Sequence, residues 1–410
     1  VDKRDAVTIL LLFSLAFGLR LYDVTTPGFR WGDEQEHVAA ATHYWTEGHF
    51  DPNLWEHPPL RHVLLYGFLK VFGDNPYGWR MRNVLLGALT SVLLYLFTFS
   101  TARSRLAATT AGLLIATDPL HVMLSRFTFE ETYGVAFFVA SLVLFAWARG
   151  RSGWLIGSAL AMGCALATKW YYVPVWLLVG AAALREDANY RRPGDALFVV
   201  ATFGLLPVLV YALAFQPWFG RGYSLGELVE LTTNAYYSLQ HMPPGTFNAE
   251  LPYLRQTSPF DWFVAPVMFG LPGYPSAATG QFIVFGNNVV TWGLTLPALA
   301  LCTVLAVRAK ASRLALPVLY FLATFAIFVV SRRPAFIYSA LPLLPFAFAA
   351  IGAATAWTAS TGRLGRWIAF GVMGAALASN LYLYPFVTAK EVPLSLYAPL
   401  LPYVQLTAGR

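Results

Sequence analysis

YGWRMRNVLLGALTSVLLYLFTF, residues 77–99, reads as a helix that crosses a bilayer: Val84 to Phe99 carries no charge, and Arg80 and Arg82 crowd one end. A hydrocarbon core about 30 Å thick takes roughly 20 predominantly apolar residues per crossing. Outward from this run, apolar stretches recur at 6–22, 106–118, 128–148, 153–168, 171–184, 196–217, 282–306, 314–331, 335–358 and 367–387, predicting about eleven spans in all. Composition agrees. Of 410 residues, 57% are apolar and 12% are Asp, Glu, Lys or Arg, with a mean hydropathy of +0.54, whereas a soluble domain carries about 25% charge. Disordered, collagenous and coiled-coil classes are excluded. Cys164 and Cys302 lie inside apolar runs as small buried hydrophobes, so a disulfide scaffold is excluded too. The net charge of +7 is spread along the chain with no basic–aromatic tract, and nucleic acid is not an expected partner. The expectation is an all-α polytopic membrane protein.

Charge orients the spans. With a cytoplasmic N-terminus, segments 1–5, 100–105, 149–152, 185–195, 307–313 and 359–366 face inward and hold 14 of the 28 Lys and Arg residues. That is the positive-inside pattern. His37, His43, His49, His57, His62, His121 and His241, all seven histidines, and 16 of the 21 acids fall on the other side. Two connections there are long, 23–76 and 218–281, and rich in Trp, Tyr, His and Pro. Long loops of that kind are usually functional when they lack low complexity, so each reads as a folded cap on a single membrane domain, 1–410. Lys3 and Arg4 precede the first apolar run, and no small-residue cleavage site separates it from Tyr22-Asp23-Val24, which points to an uncleaved anchor. The expected location is the plasma membrane, N-terminus inside and C-terminus outside. No repeat of a secondary transporter is visible.

The first cap holds two clusters. In Arg30-Trp31-Gly32-Asp33-Glu34-Gln35-Glu36-His37, Asp33 and Glu36 have capping-pair spacing, so a helix starts there and runs through Val38, Ala41 and Trp45. Asp33 then sits at the helix N-terminus, with Glu36 and His37 one turn on; a plain N-cap is the bland alternative. In Trp55-Glu56-His57-Pro58-Pro59-Leu60-Arg61-His62 the double proline ends any preceding helix and presents His57 at a rigid bend before an interfacial helix, 60–73.

Cations also appear where the inside rule does not expect them: Arg80, Arg82, Arg126, Lys169 and Arg332-Arg333, all at the outer ends of spans. Each alone can snorkel to headgroups. Together they suggest a cavity-facing set, because cations near bilayer depth are costly and seek an anion. Glu130, Glu131 and the first-cap carboxylates partner some of them. The remainder suits a phosphate, which Arg takes bidentately and Lys as a point charge. A lipid whose phosphate lies at the interface fits that description.

With these residues in place, the sequence resembles the GT-C glycosyltransferases, the protein O-mannosyltransferases of family 39 more closely than the aminoarabinose transferases of family 83. The resemblance rests on Asp33-Glu34, His57-Pro58-Pro59-Leu60, Arg80 seven residues before Gly87, Asp118-Pro119 through Ser125-Arg126 to Glu131, Ala165 to Lys169-Trp170, Ser258-Pro259-Phe260-Asp261-Trp262, and Arg333 to Pro342. Tyr236-Tyr237 stands where the pattern has Tyr-His, and Phe260 where it has another aromatic. The resemblance implies the GT-C fold and transfer of a sugar, with mannose expected, from a polyprenyl- or dolichyl-phosphate donor to a hydroxyl. A protein Ser or Thr is the first acceptor and a glycolipid or cell-wall glycan the alternative. It implies Asp33 as base in an inverting step and Glu34 as an orienting carboxylate. Arg80 and Arg126 would hold the donor phosphate with His57, Lys169 and Arg333, and Glu36, His37, Glu131, Ser258 and Trp262 would support the site or the acceptor. No Asp-x-Asp or His-x-x-x-His spacing demands a metal, and metal-independent transfer without a cofactor is expected. A lipid-linked-sugar transporter is the competing class, but the spans have few ionisable residues at mid-depth to couple movement.

Overall fold

The computed structural model describes residues 2–30, 34–48, 57–148, 152–186, 193–241, 257–274, 281–333, 335–388, 390, 394–397, 399 and 404–406. In chain order its principal helices are α1 (Lys3–Leu21), α2 (Glu34–Glu47), α3 (Leu60–Phe72), α4 (Pro76–Ala102), α5 (Arg105–Thr117), α6 (Pro119–Arg126), α7 (Glu130–Ala148), α8 (Ser152–Leu166), α9 (Trp170–Leu184), α10 (Ala196–Leu213), α11 (Leu225–Gln240), α12 (Val289–Arg308), α13 (Ser312–Val330), α14 (Ile337–Ser360) and α15 (Arg363–Val387). Among the described residues, seven helices are long and apolar enough to cross a membrane, or eight if the bent pair α5–α6 is one span. The expected count of eleven is reached only if α1, which carries Lys3, Arg4, Asp5 and Arg20, and the shorter α8 and α9 cross as well.

The helical expectation holds for the bundle, to which one small sheet is added. Strands β1 (Met268–Tyr274), β2 (Gln281–Gly286) and β3 (Val404–Leu406) form a small sheet in the order β2-β1-β3, β1 running antiparallel to β2 and parallel to β3. The apolar run read as 282–306 therefore divides. Phe282-Ile283-Val284-Phe285 is aromatic and β-branched, as strands prefer, and Asn288 caps a helix that starts only at Val289.

Burial separates the centre from the lipid-facing rim. The apolar window of α14 is 89% buried, against 22–33% for α10, α12, α13 and α15. Without a hydrophobic drive between helices in lipid, close packing depends on small side chains. α14 supplies Ala347, Ala349, Ala350, Gly352 and Ala353, and a Cβ on Gly352 would stand 2.3 Å from the Ala107 carbonyl oxygen of α5. Likewise a Cβ on Gly87 would meet the Ser125 Cβ at 2.4 Å and Arg20 Nε at 2.9 Å. Gly87→Val is thus expected to destabilise the fold by roughly 1–3 kcal/mol through overpacking, read as a lower melting temperature in detergent.

The break between α5 and α6 bends the chain by 54°. Pro119 has no N–H to give the carbonyl of Ile115, four residues back. Backbone freed at membrane depth must find another donor, and Arg20 of α1 is that donor: its Nη2 reaches Ile115 O at 3.3 Å and its Nη1 Ala116 O at 3.0 Å, while Nε donates to Ser125 Oγ at 2.7 Å. Asp118 caps α6 by accepting from the His121 N–H at 2.9 Å, and takes a second bond from Trp292 Nε1 at 2.7 Å. This joint carries Arg126 and Glu130 to the end of the bundle where α2 and α3 lie.

Candidate active site

α2 buries one stripe, Glu34, His37, Val38, Ala41 and Tyr44, at helical spacing. Val38 and Ala41 pack on Leu65 of α3 and Trp79 of α4, so the polar members of the stripe, Glu34 and His37, are carried inward with them. Glu34 meets Arg80 in a buried pair, Nη2–Oε2 2.8 Å and Nε–Oε1 3.0 Å. Thr128 adds a backbone N–H at 3.2 Å and a hydroxyl at 3.1 Å to Glu34 Oε1. The remaining Arg80 donors go to the carbonyls of Val24 (2.7 Å), Pro27 (2.9 Å) and Phe29 (3.0 Å).

Direct grip of a phosphate by Arg80 therefore lacks the donors it needs: the side chain is fully buried and all five of its N–H groups are engaged. Arg126 is buried in the same way. Its Nη1 and Nη2 take the carbonyls of Arg20 (3.0 Å), Tyr22 (2.6 Å) and Asp23 (3.0 Å). Both arginines shape the segment between α1 and α2. A third clasp closes its surface, where Arg30 and Trp79 Nε1 both reach the Asp74 carboxylate and hold it below the usual carboxylate range, the indole N–H first and the guanidinium second.

The second motif of the first cap is fixed to a different partner. Leu60 donates its N–H to the Ala167 carbonyl at 3.2 Å, which sets His57 and the two prolines beside Lys169. Glu130, at the start of α7, gathers the cluster: its carboxylate lies 3.3 Å from Arg61 Nη1, 3.3 Å from Lys169 Nζ, 3.4 Å from His37 Nε2 and 3.8 Å from His57 Nε2. Glu131 pairs with Lys169 directly. The turn before Glu130 is held by Asn83 Nδ2, which donates to Phe127 O at 2.7 Å and Phe129 O at 2.6 Å. Arg82 stacks over the Tyr133 ring at 4.6 Å and gives Nη1 to Arg61 O at 3.0 Å.

Beside this cluster opens a cavity of about 820 Å³. His57, Lys169 and Arg333 contribute its ionisable wall, and Ala323, Ala326, Ile327 and Val330 of α13 with Val173 and Pro174 of α9 its apolar wall. α11 closes one side with Thr232, Thr233, Tyr236, Leu239 and Gln240. Gln240 ties that helix to the next connection, donating to Ser331 Oγ at 3.2 Å and accepting from the Arg332 N–H at 3.0 Å.

His57, Lys169, Arg333, His37, Glu131 and Glu130 are thus brought to one place. Asp33, the expected base, and its cap on α2 lie outside the described residues; Glu34, next in the chain, is buried as above. Glu36 is exposed on the far face of α2. Ser258 turns the chain by accepting from the Phe260 N–H, and Trp262 is fully buried against Phe328 with its Nε1 on Thr257 Oγ1 at 2.8 Å, so its ring is packed in the core and not offered to an acceptor. Arg61, Thr128 and Tyr338, whose ring lies 5.6 Å from Lys169 Nζ, are members of the cluster that motif reading passed over. Arg61 had a usable signal, a charge set into the apolar helix that follows the double proline.

Burial governs the cap histidines. His37 is pushed down to about 3, and His57 and His62 fall well below their ordinary value, burial leading and neighbouring cations adding. All three are neutral at pH 7, whereas unfolded histidines titrate near 6.5. Stability is therefore full above pH 6.5 and is lost as pH falls beneath it, by about 1.4 kcal/mol per histidine per pH unit. Melting temperature in detergent is expected to drop between pH 7.5 and 5.5, with a shallower drop for His62→Gln.

Residues 10–187 match the family model described as dolichyl-phosphate-mannose-protein mannosyltransferase. A polyprenol-phosphate-mannose–protein mannosyltransferase of Mycobacterium tuberculosis is 25% identical over 341 residues, covering 64% of this chain and 65% of that one. The protein of the same name from Mycolicibacterium smegmatis is 27% identical over 237 residues, covering 44% and 45%. The matches thus span less than two thirds of these relatives' own length. Among solved structures, the S. cerevisiae protein O-mannosyltransferase Pmt1-Pmt2 complex bound to the sugar donor superposes with a TM-score of 0.82 at 10% identity, over 100% of this chain and 93% of that one. ArnT from Cupriavidus metallidurans bound to undecaprenyl phosphate gives 0.54 at 17%, over 94% and 75%. The fold is GT-C, and the chain resembles the protein O-mannosyltransferases in sequence and architecture.

Proposed function

We propose that this chain, a GT-C protein resembling the protein O-mannosyltransferases, transfers mannose from a polyprenyl-phosphate carrier to a Ser or Thr hydroxyl of a protein on the extracytoplasmic side of the plasma membrane. The observation that carries the reading is the cavity: apolar along α9 and α13, where an isoprenoid would lie, and cationic at the wall formed by Lys169 and Arg333, with the neutral His57 beside them. Sidedness draws support from the basic residues concentrated on the opposite connections.

In the proposed step the acceptor hydroxyl attacks the anomeric carbon as the carbon–oxygen bond to phosphate breaks, its electron pair leaving with the phosphate. Asp33 takes the hydroxyl proton. One displacement with one base inverts the anomeric centre, whereas retention would need a second carboxylate as nucleophile. The phosphate leaves without protonation because Lys169, Arg333 and the His57 N–H meet its charge. Arg80, Arg126 and Glu34 act one step removed, by fixing the segment that ends at Asp33.

The test is incubation of purified protein with labelled polyprenyl-phosphate mannose and a Ser/Thr-rich peptide. Labelled peptide is the expected result. Donor consumption without it would shift the acceptor to a glycolipid or glycan, and carrier movement across vesicles without transfer would favour a transporter. Ala326→Trp is expected to fill the apolar wall and raise the donor KM about tenfold or more, the loss of roughly two buried methylenes' worth of carrier contact, with a smaller change for a short-chain donor.

A further inference from the structure

Glu130 takes no part in the displacement proposed above, yet its buried carboxylate faces the wall where the phosphate would sit. It lies 3.3 Å from Lys169 Nζ and 3.8 Å from His57 Nε2, and Glu131 holds the same lysine. A site built only for anion affinity would not set two carboxylates against its lysine. The substrate explains why one would. The donor is a phosphodiester with a single negative charge. Transfer leaves a phosphate monoester, which carries about −1.5 to −2 near pH 7. Cations that bind the donor well would then trap the product, and turnover would stall at release, a step that limits many enzymes.

We propose that Glu130 and Glu131 are positioning residues that set how loosely the discharged carrier is held. They keep Lys169 and His57 turned toward the cavity between cycles and compete with the product phosphate for them. Arg61, another partner of Glu130, balances its charge when Lys169 is drawn to the phosphate. The inference rests on the donor-site reading above and adds to it the direction in which affinity is tuned.

The experiment measures equilibrium binding of a short polyprenyl phosphate, and its inhibition of transfer, for wild type, Glu130→Gln, Glu131→Gln and Lys169→Gln. A carboxylate about 7 Å from the phosphate, at an effective dielectric near 20, changes affinity by about tenfold or more. The glutamine variants are expected to bind polyprenyl phosphate at least tenfold more tightly, with lower kcat and lower donor KM, and Lys169→Gln more weakly. A role confined to holding the fold would weaken binding, so tightening separates the two. Unchanged or weaker binding in folded Glu130→Gln and Glu131→Gln overturns the inference while leaving the donor site intact. If Glu130→Gln gives no folded protein, Glu131→Gln decides. If wild type does not bind polyprenyl phosphate and Lys169→Gln makes no difference, the donor-site reading fails and the inference falls with it.

Discussion

Asp33→Asn is expected to lower mannosyl transfer about 10²- to 10⁴-fold, the range of a positioned general base, while donor binding stays within about twofold in the same assay. The amide keeps size and shape but cannot accept the hydroxyl proton. The leaving phosphate needs no proton, so the base is the one group in the proposed step whose proton affinity matters, and its loss falls on kcat. Single-turnover transfer of labelled mannose to peptide measures it. Turnover within tenfold of wild type, in protein that melts normally, would remove Asp33 from the mechanism and leave the apolar cavity as a carrier-binding site in search of a reaction.

Arg80→Lys carries the second large effect and separates two accounts of the same residue. Lysine keeps the charge that faces Glu34 but has three donors on a point-like head, against the five of a planar fork. At least two of the five acceptors, the Glu34 oxygens and the carbonyls of Val24, Pro27 and Phe29, would lose their partner. Disturbing a buried ion pair of this kind costs on the order of 3 kcal/mol, and displacing a catalytic loop by about 1 Å costs near 100-fold in rate. The expected outcome is a lower melting temperature and a transfer rate down about 100-fold, with donor affinity within about threefold. Had Arg80 gripped the phosphate, the same substitution would appear first in donor affinity.

Much of the fold was legible because membrane spans announce themselves through length and apolarity alone. The runs at 77–99, 128–148 and 335–358 became α4, α7 and α14 with shifts of a few residues. The run at 282–306 misled because a six-residue aromatic and β-branched segment looks apolar whether it is strand or helix, and only tertiary pairing, here with β1, decides. At the site, the sequence located the ionisable residues but not their partners. Arg80 and Lys169 look alike in a sequence: each is a cation at the end of an apolar run. One is surrounded by five acceptors and the other faces a cavity, and that difference depends on where 24, 27 and 29 fold back, which no spacing rule specifies. Trp262 is a related case: an aromatic in a loop motif packs inward when its N–H finds a local partner, here Thr257.

The seal that Arg20 places on the α5–α6 joint has a consequence for biogenesis. Its hydroxyl partner Ser125 lies 105 residues further along the chain, and at about 5–20 residues per second a ribosome takes roughly 5–20 s to make that stretch. Through that interval the guanidinium of a newly inserted first helix has to reach for headgroups and water. Nascent chains halted before Ile115 should therefore remain loosely seated and extractable, and chains released after Arg126 should lock, so commitment to the bilayer comes with the third hydrophobic segment and not the first.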